Sequence, residues 1–368
     1  VTVLVAPDKF KGSLTAAEVA DAVASAFAAV VPGEPVRRLP VADGGEGTVD
    51  AAVAAGFRRV PARVTGPTGR RITAYFALRG PVAVVELAEA SGLSRLPGGV
   101  PAPRTASSHG AGELIAAAVA AGATQVVLGV GGSACTDGGA GLLTALGARL
   151  LDASGNSSPP GGAALSGLAT VDLSGLSPVD LVLASDVDNP LLGPDGAAAV
   201  YGPQKGATPA DVAALEEGLH RWSEILGAEH ATTPGAGSAG GVGFAALAAL
   251  GARIRPGIEV LLELLDFATA ARDAHLVITG EGSLDAQSLR GKTPVGVLHA
   301  AGTTPVVALA GRCLLTEAQW RSAGFHAVYA LSDVDPDESR CVAEAPRLLR
   351  MCAKRLAREW SDERMRVR

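Results

Sequence analysis

The chain has 368 residues, with 31 Lys plus Arg against 37 Asp plus Glu and 48% hydrophobic residues. At roughly 150 residues per domain this is two or three domains, enough to bury a core and shape a crevice, which excludes a peptide hormone or a disulfide mini-scaffold. A net charge of −6 leaves no basic face to track nucleic acid, 47 Gly and 23 Pro fall short of a low-complexity chain, and no apolar run approaches the ~20 residues of a membrane span.

A first strand is expected over Val1 to Val5. Charge arrives by Asp8 with no basic leader region before it, so this reads as a strand and not a signal peptide, and a cytoplasmic location is expected. Thr15 and Glu18 have the spacing of a capping box that opens the first helix. Further strands are expected over Val36 to Val41, Val82 to Leu87, Thr124 to Val130, Val179 to Ala184, His275 to Thr279, Pro305 to Ala310 and Ala327 to Leu331. Alanine-rich stretches of helical period alternate with them, the pattern of parallel strands joined by crossover helices, so the fold class is α/β. Gly112-Glu113 is expected to open a helix over Leu114 to Ala121, and Gly235 to Gly240 to form a flexible loop opening the helix Val242 to Leu250. The Pro/Gly-rich stretch Thr65 to Arg70 reads as a domain crossing and Asp152 to Ala164 as a surface loop.

The first 62 residues hold too few strands for a sheet covered on both faces, while the last hundred form a regular β-α series. Residues 1–62 plus 271–368 are therefore expected to form one discontinuous domain, with 63–270 an inserted α/β domain and the active-site cleft between the two. Cys135, Cys313, Cys341 and Cys352 make no C-x-x-C pair and are expected to be reduced thiols. The six histidines lack H-E-x-x-H spacing, which disfavours zinc.

Five loops carry the chemistry. Asp8-Lys9-Phe10-Lys11-Gly12-Ser13, Asp43-Gly44-Gly45-Glu46-Gly47-Thr48, Gly131 to Gly139, Ser185 to Pro190 and Thr279 to Asp285 each follow a predicted strand, and in open parallel sheets ligands bind at the carboxyl edge. Gly and Asp are ordinary turn residues taken singly, but five such loops at one kind of edge form a pattern. Glycine-rich loops let backbone N–H groups approach phosphate. A carboxylate ~4 Å from a phosphate charge is repelled by roughly 4 kcal/mol at an effective dielectric of about 20, so acidic phosphate loops imply a cation, with Mg2+ the expected bridge. Asp43, Asp137, Asp186 and Asp285 are the candidates to hold it or its waters, or to take a proton from an attacking hydroxyl.

Known nucleotide motifs fit less well. Gln287 to Thr293 ends like a P-loop, but Ala286 stands where its first glycine belongs. Gly235-Ala-Gly237-Ser-Ala-Gly240 spells G-x-G-x-x-G without a good preceding strand or a spaced acid. Lysine is more telling. Of 31 basic residues only Lys9, Lys11, Lys205, Lys292 and Lys354 are lysines, and all but Lys354 lie in these or similar loops. Such placement fits a compact ammonium gripping phosphate or carboxylate. His109, at a loop-to-helix junction, is expected to be a cap or surface residue.

The motifs Ala6-Pro-Asp-Lys-Phe-Lys-Gly-Ser13, Val41 to Thr48, Gly129 to Gly141, Tyr201-Gly-Pro-Gln-Lys-Gly-Ala207, Pro234 to Gly241 and Val277 to Ser288 closely resemble, in order and spacing, the bacterial glycerate kinases of type I. The resemblance implies an ATP-dependent kinase that phosphorylates D-glycerate to 2-phosphoglycerate. It also implies a discontinuous Rossmann-like domain with an inserted flavodoxin-like one. Position 9 is often serine in that family, which shifts weight from Lys9 to Lys11, and Cys135-Thr136 replaces the family's usual pair before Asp137. On this reading Lys11, Asp186, Asp43 and Asp137 are catalytic, with Asp186 and Asp285 bearing the metal. Asp8, Ser13, Gly44, Gly45, Glu46, Gly131, Gly132, Ser133, Gly138, Asn189, Gln204, Lys205, Gly237, Glu281, Asp285, Gln287 and Lys292 bind substrate or nucleotide. The expected partners are D-glycerate, ATP and Mg2+, with no nucleic acid or membrane, in a monomer or homodimer. The weighed alternatives are a nicotinamide-dependent oxidoreductase of a small hydroxy acid and a non-catalytic sugar-acid sensor.

Overall fold

The computed structural model describes residues 2–367, so Val1 and Arg368, at the two ends of the predicted discontinuous domain, lie outside the described residues. The fold is mixed α/β. In chain order the strands are β1 Thr2–Val5, β2 Val36–Arg38, β3 Arg58–Thr65, β4 Arg71–Arg79, β5 Val82–Glu86, β6 Gln125–Gly129, β7 Arg149–Asp152, β8 Leu168–Asp172, β9 Asp180–Ala184, β10 Arg253–Arg255, β11 Ala274–Leu284, β12 Val306–Cys313 and β13 Ala327–Ala330. The helices that position the site are α1 Ala16–Val30, α2 Thr48–Ala54, α3 His109–Ala120, α4 Ala140–Ala145, α5 Pro209–Leu226, α6 Ser238–Leu250, α7 Thr293–Ala300 and α8 Ala345–Val367. No helix among the described residues is long and apolar enough to cross a membrane. The chain divides into two compact units, one of Val1–Asp43, Asp50–Ala55 and Ile258–Arg368, the other of Gly44–Val49 and Gly56–Gly257.

The first unit is built on a parallel sheet in the order β13-β12-β11-β1-β2. The chain steps from β1 outward to β2, then returns to the other side of β1 with β11, so the order reverses between β1 and β11. Counted within the unit this is 2-1-3-4-5, a doubly wound order whose ligand crevice belongs at the β1/β11 switch point. Val3, Val5, Leu276 and Ile278 face α1 and α8 through Val23, Phe27, Leu348 and Leu349. Leu4, Val277 and Val306 face Phe267, Val297 and Leu298 on the other side. Each such fully buried side chain contributes about 1.5–3 kcal/mol, and the two-faced burial explains why these strands read as continuous apolar runs. The capping box of α1 is present: Thr15 Oγ1 accepts from Glu18 N, and Glu18 accepts from Thr15 N at 2.8 Å.

The last acidic loop differs from expectation. Thr279 to Leu284 continues β11 in register with β12, Gly280 opposite Leu309 and Leu284 opposite Cys313. A Cβ on Gly280 would lie 2.1 Å from Leu309 O, and one on Gly311 2.4 Å from Gly282 O. These glycines permit close strand approach, so Glu281 and Ser283 ride on a strand that outruns β1.

The second unit carries a sheet in the order β10-β9-β6-β5-β4-β3 and a separate antiparallel pair, β7 with β8. β5, β6, β9 and β10 are parallel, and β3 and β4 form an antiparallel hairpin on one edge. The predicted domain crossing at Thr65 to Arg70 is corrected by this hairpin: it is the turn between β3 and β4, closed by Gly66 N donating to Arg70 O at 2.7 Å. α3 begins at His109 and not at Gly112. A Cβ on Gly112 would lie 2.5 Å from Leu142 O, so this glycine lets α3 lie against α4. The glycine run before Val242 is close-packed where flexibility was expected, because Cβ atoms on Gly237 and Gly240 would lie 2.2 Å from Pro190 O and Cys135 O. No strand leads into it, so it is not a dinucleotide fingerprint.

Candidate active site

At the switch point of the first unit, Asp8 N donates to Gly280 O at 2.9 Å, holding the loop after β1 against β11. The Asp8 carboxylate is 7% exposed. It accepts from Lys9 N at 2.7 Å and from Thr293 Oγ1, at the start of α7, at 2.9 Å. Burial, reinforced by Asp43, raises its pKa to about 6 despite Lys9. Glu281 is pushed further, to about 7, first by burial and then by Asp8 and Asp285, against the pull of Ser288 and Lys292. Its Oε1 is buried without a hydrogen-bond partner.

Asp285 behaves oppositely. Burial works against its ionisation, but N–H groups of Gln287 (2.8 Å) and Ser288 (3.3 Å), together with Lys292, hold its pKa low. It caps the short turn Ser288–Arg290, and Ser283 Oγ lies 3.4 Å from its Oδ2. The turn thus takes Oδ1 of Asp285, while Oδ2 keeps acceptor capacity. Lys292 Nζ donates to Gln287 Oε1 at 3.1 Å, beside Glu281. Lys11 is exposed on a turn closed by Phe10 N to Leu14 O at 2.8 Å, with the Ser13 hydroxyl spent on Phe10 O at 3.1 Å. The turn sits on β11, a Cβ on Gly282 falling 3.3 Å from Lys11 N. Asp8, Asp43, Glu281, Lys9, Lys292 and Gln287 thus gather at one strand edge.

In the second unit the two glycine-rich loops seat against each other. Gly44 has φ +89, and a Cβ there would lie 2.5 Å from Ala184 O; one on Gly131 would lie 2.6 Å from Gly45 Cα. Gly131 N donates to Gly44 O at 3.2 Å. Gly44→Ala is accordingly expected to destabilise this unit by about 2–4 kcal/mol, from left-handed strain plus backbone collision, measured by urea denaturation. Glu86, 5% exposed at the end of β5, accepts from Gly47 N at 3.2 Å and Val49 N at 3.1 Å, fixing the segment that opens α2. Glu46, Glu86, Glu89 and Arg95 line a cavity of about 270 Å³ beside Gly47. Gly132, with φ +73, abuts Glu46, and Ser133, 7% exposed, pairs with Gly92.

Asp137, Lys205 and Gly138 are tied into the packing of this unit. Asp137 is fully buried and accepts five hydrogen bonds: from Ser107 Oγ (3.1 Å), Ser108 N (2.8 Å), Ser108 Oγ (3.0 Å), Gly139 N (3.2 Å) and Gly141 N (3.2 Å). With its lone pairs so committed it ties the start of α3 to α4. Lys205 is 2% exposed and donates to Cys135 O at 2.5 Å. Burial lowers its pKa while Cys135 and Asp137 oppose this, and its Nζ braces the loop at Cys135. Gly138 is likewise structural: its carbonyl accepts from Trp222 Nε1 at 2.9 Å.

Asp186 is exposed beyond β9, with Oδ1 accepting from Gly257 N at 2.7 Å. Asn189 is held by Asp195 O (2.8 Å) and Tyr201 OH (2.5 Å), Gly237 packs on Pro190, and Gln204 is exposed in the turn before Lys205. Sequence reasoning missed Glu86 and Thr293. The first was signalled by a carboxylate ending an apolar strand, the second by its place next to Lys292.

A doubly wound sheet whose switch point gathers buried acids, lysines and a hydroxyl is the make-up of an α/β enzyme acting on a charged small molecule. The model of the glycerate kinase family matches residues 3–361, and the chain belongs to that family. It is 48% identical over 322 residues to a glycerate kinase of Bacillus subtilis (strain 168), covering 84% of each chain. It is 43% identical over 323 residues to the glycerate 2-kinase of Escherichia coli (strain K12), again covering 84% of each. A crystal structure described as a "putative glycerate kinase 2" from Salmonella typhimurium LT2 superposes with a TM-score of 0.85 at 40% identity, covering 99% of both chains.

Proposed function

We propose that the chain transfers the γ-phosphoryl group of ATP to a hydroxyl of D-glycerate, releasing ADP and 2-phosphoglycerate. The observation that carries this is the family match over residues 3–361, joined by a glycerate 2-kinase relative at 43% identity. Neither the oxidoreductase nor the sensor alternative draws support from it. In the reaction the acceptor oxygen bonds to the γ-phosphorus, the bond to the β,γ-bridging oxygen breaks, and the hydroxyl proton goes to a base, so the work of the protein is positioning and charge neutralisation.

Lys11 and Lys292 are the proposed cations for phosphate or the glycerate carboxylate. The loops after β1, β2, β6 and β9 are proposed to serve one reaction in a cleft between the discontinuous domain, residues 1–62 plus 271–368, and the inserted one, 63–270. The labels Rossmann-like and flavodoxin-like belong to the same proposal, as does a monomeric or homodimeric state.

The residues present fit a divalent cation. The unpartnered buried oxygen of Glu281, with Asp8 and Asp43 nearby, supplies hard oxygen donors. Among the described residues no three His, Cys, Asp or Glu side chains form a ready cage, which suits Mg2+ held largely by phosphate oxygens and water. When bound it would neutralise charge on the transferring group. Asp186, at the carboxyl end of β9, is the proposed proton acceptor for the glycerate hydroxyl. Asp186→Asn should lower kcat by about 10²–10⁴ with ADP affinity unchanged; turnover near wild type would remove Asp186 from this role. The reading as a whole is tested by ADP release, which should require D-glycerate and stop on adding EDTA. Release independent of any acceptor would oppose it.

A further inference from the structure

The second unit contains a cavity of about 420 Å³ that none of the expected site residues explains. It lies under the β3–β4 turn, against the first residues of α3 and one side of α4. Register places it: Phe76 of β4 pairs with Val85 near the carboxyl end of β5, so the Thr65–Arg71 end of the hairpin extends past that end. The cavity is therefore on the carboxyl side of the parallel strands, where α/β sheets bind ligands.

Its walls combine two chemistries. Pro67, Leu150, Pro159 and Leu165 supply apolar faces. Thr65, Thr105, Thr144 and Ser158 are hydroxyl residues of the lining, with Thr144 Oγ1 donating to Ala140 O at 2.9 Å and Thr65 Oγ1 accepting from Arg71 at 3.0 Å, and glycines at 66, 69, 141 and 161 keep the backbone close to the space. Among the described residues the one ionisable group on the wall is His109, whose Nε2 lies 3.9 Å from Glu113 Oε1.

A three-carbon hydroxy acid does not suit this space. Its carboxylate calls for a lysine, an arginine or a set of aimed N–H groups, and neither cation lines the cavity. A flat, neutral, heteroatom-edged ring does suit it, with apolar walls for its faces and hydroxyls for its edge. The volume falls in the range of about 300–1,000 Å³ typical of small-molecule sites. The cavity is also held in shape. Ser107 and Gly141 line it and both donate to buried Asp137, at 3.1 and 3.2 Å. The glycine-rich loop 131–139 runs from β6 straight into α4, so the loop suited to phosphate is continuous with the cavity wall.

We infer that this cavity is the nucleobase pocket of the kinase, taking the adenine of ATP. This rests on the kinase reading above and adds to it where the nucleoside sits. The test is Thr144→Phe, which projects a ring into the cavity from an exposed position of α4, with Ser158→Trp as a second variant from another lining segment. KM for ATP should rise about tenfold or more, while kcat at saturating ATP and KM for D-glycerate stay within about twofold, tenfold being 1.4 kcal/mol. Calorimetric titration with adenosine should show binding to the wild-type chain that is lost in Thr144→Phe. Unchanged KM for ATP in both folded variants, or a rise in the glycerate KM alone, would overturn the assignment. Adenosine binding is read without turnover. A wild-type chain that binds adenosine, loses it in Thr144→Phe and makes no phosphoglycerate would defeat the kinase reading and leave the pocket standing.

Discussion

Asp137→Ala is expected to destabilise the second unit by about 3–5 kcal/mol, more than any other single carboxylate removal considered. The carboxylate is fully buried and takes both serine hydroxyls at 107 and 108 together with three backbone N–H groups. Truncation strands those donors away from water, each at about 1–3 kcal/mol before relaxation. It also removes a carboxylate that supports the buried Lys205 side chain electrostatically. Trp222 donates to Gly138 O, one residue along the chain, so its fluorescence reports the loss directly in a urea titration. Asp137→Asn keeps the shape but replaces an acceptor by a donor, and it should be nearly as damaging. A folded Asp137→Asn chain of wild-type stability with kcat depressed a thousandfold or so would place this residue in catalysis and contradict the anchoring account.

Glu281→Gln should separate stability from activity. The folded chain holds the carboxyl with a pKa of about 7 against an ordinary 4.5, chiefly because it is buried. Between those values the unfolded chain releases the proton and the folded chain retains it. Stability therefore declines as pH rises from about 4.5 to 7 and is level above, the reverse of a salt-bridged acid. Glutamine carries no charge to bury. The variant should be more stable than wild type at pH 8 without ligands, by roughly 2–4 kcal/mol, and should lose this slope. The same substitution removes a donor proposed for the cation and phosphate, so turnover should fall by about 10²-fold or more. Differential scanning calorimetry at pH 5 and pH 8 with an ADP-release assay checks both halves. A variant less stable than wild type at pH 8 would contradict the buried-charge account.

The eight strands expected from sequence all have counterparts in the structure, because sheets buried on both faces leave long β-branched runs such as Val82 to Leu87. The hairpin β3–β4 was not legible. Arg58, Arg59, Arg63, Arg71 and Arg79 line it, and the pairing of Arg79 with the Phe57 ring at 4.1 Å depends on a partner strand that periodicity does not reveal. β11 was cut short at Thr279, since a glycine that ends a strand and one that admits a neighbouring carbonyl look alike in sequence. The acidic loops were visible as a set, but the division of labour within them was not. Asp137 and Glu281 are both acids in glycine-rich motifs. Five donors surround one and none reaches the other's Oε1, and donors contributed by Ser107 and Ser108, just before α3, cannot be foreseen from the loop itself. The bias of lysine toward loops singled out Lys292, which lies beside Glu281, and Lys205, which is enclosed and donates to Cys135 O.

Phosphorus NMR of the purified chain with ATP, Mg2+ and D-glycerate should show the γ signal replaced by equal amounts of ADP and 2-phosphoglycerate. Intact ATP after prolonged incubation, or inorganic phosphate with no phosphoglycerate, would contradict phosphoryl transfer to D-glycerate.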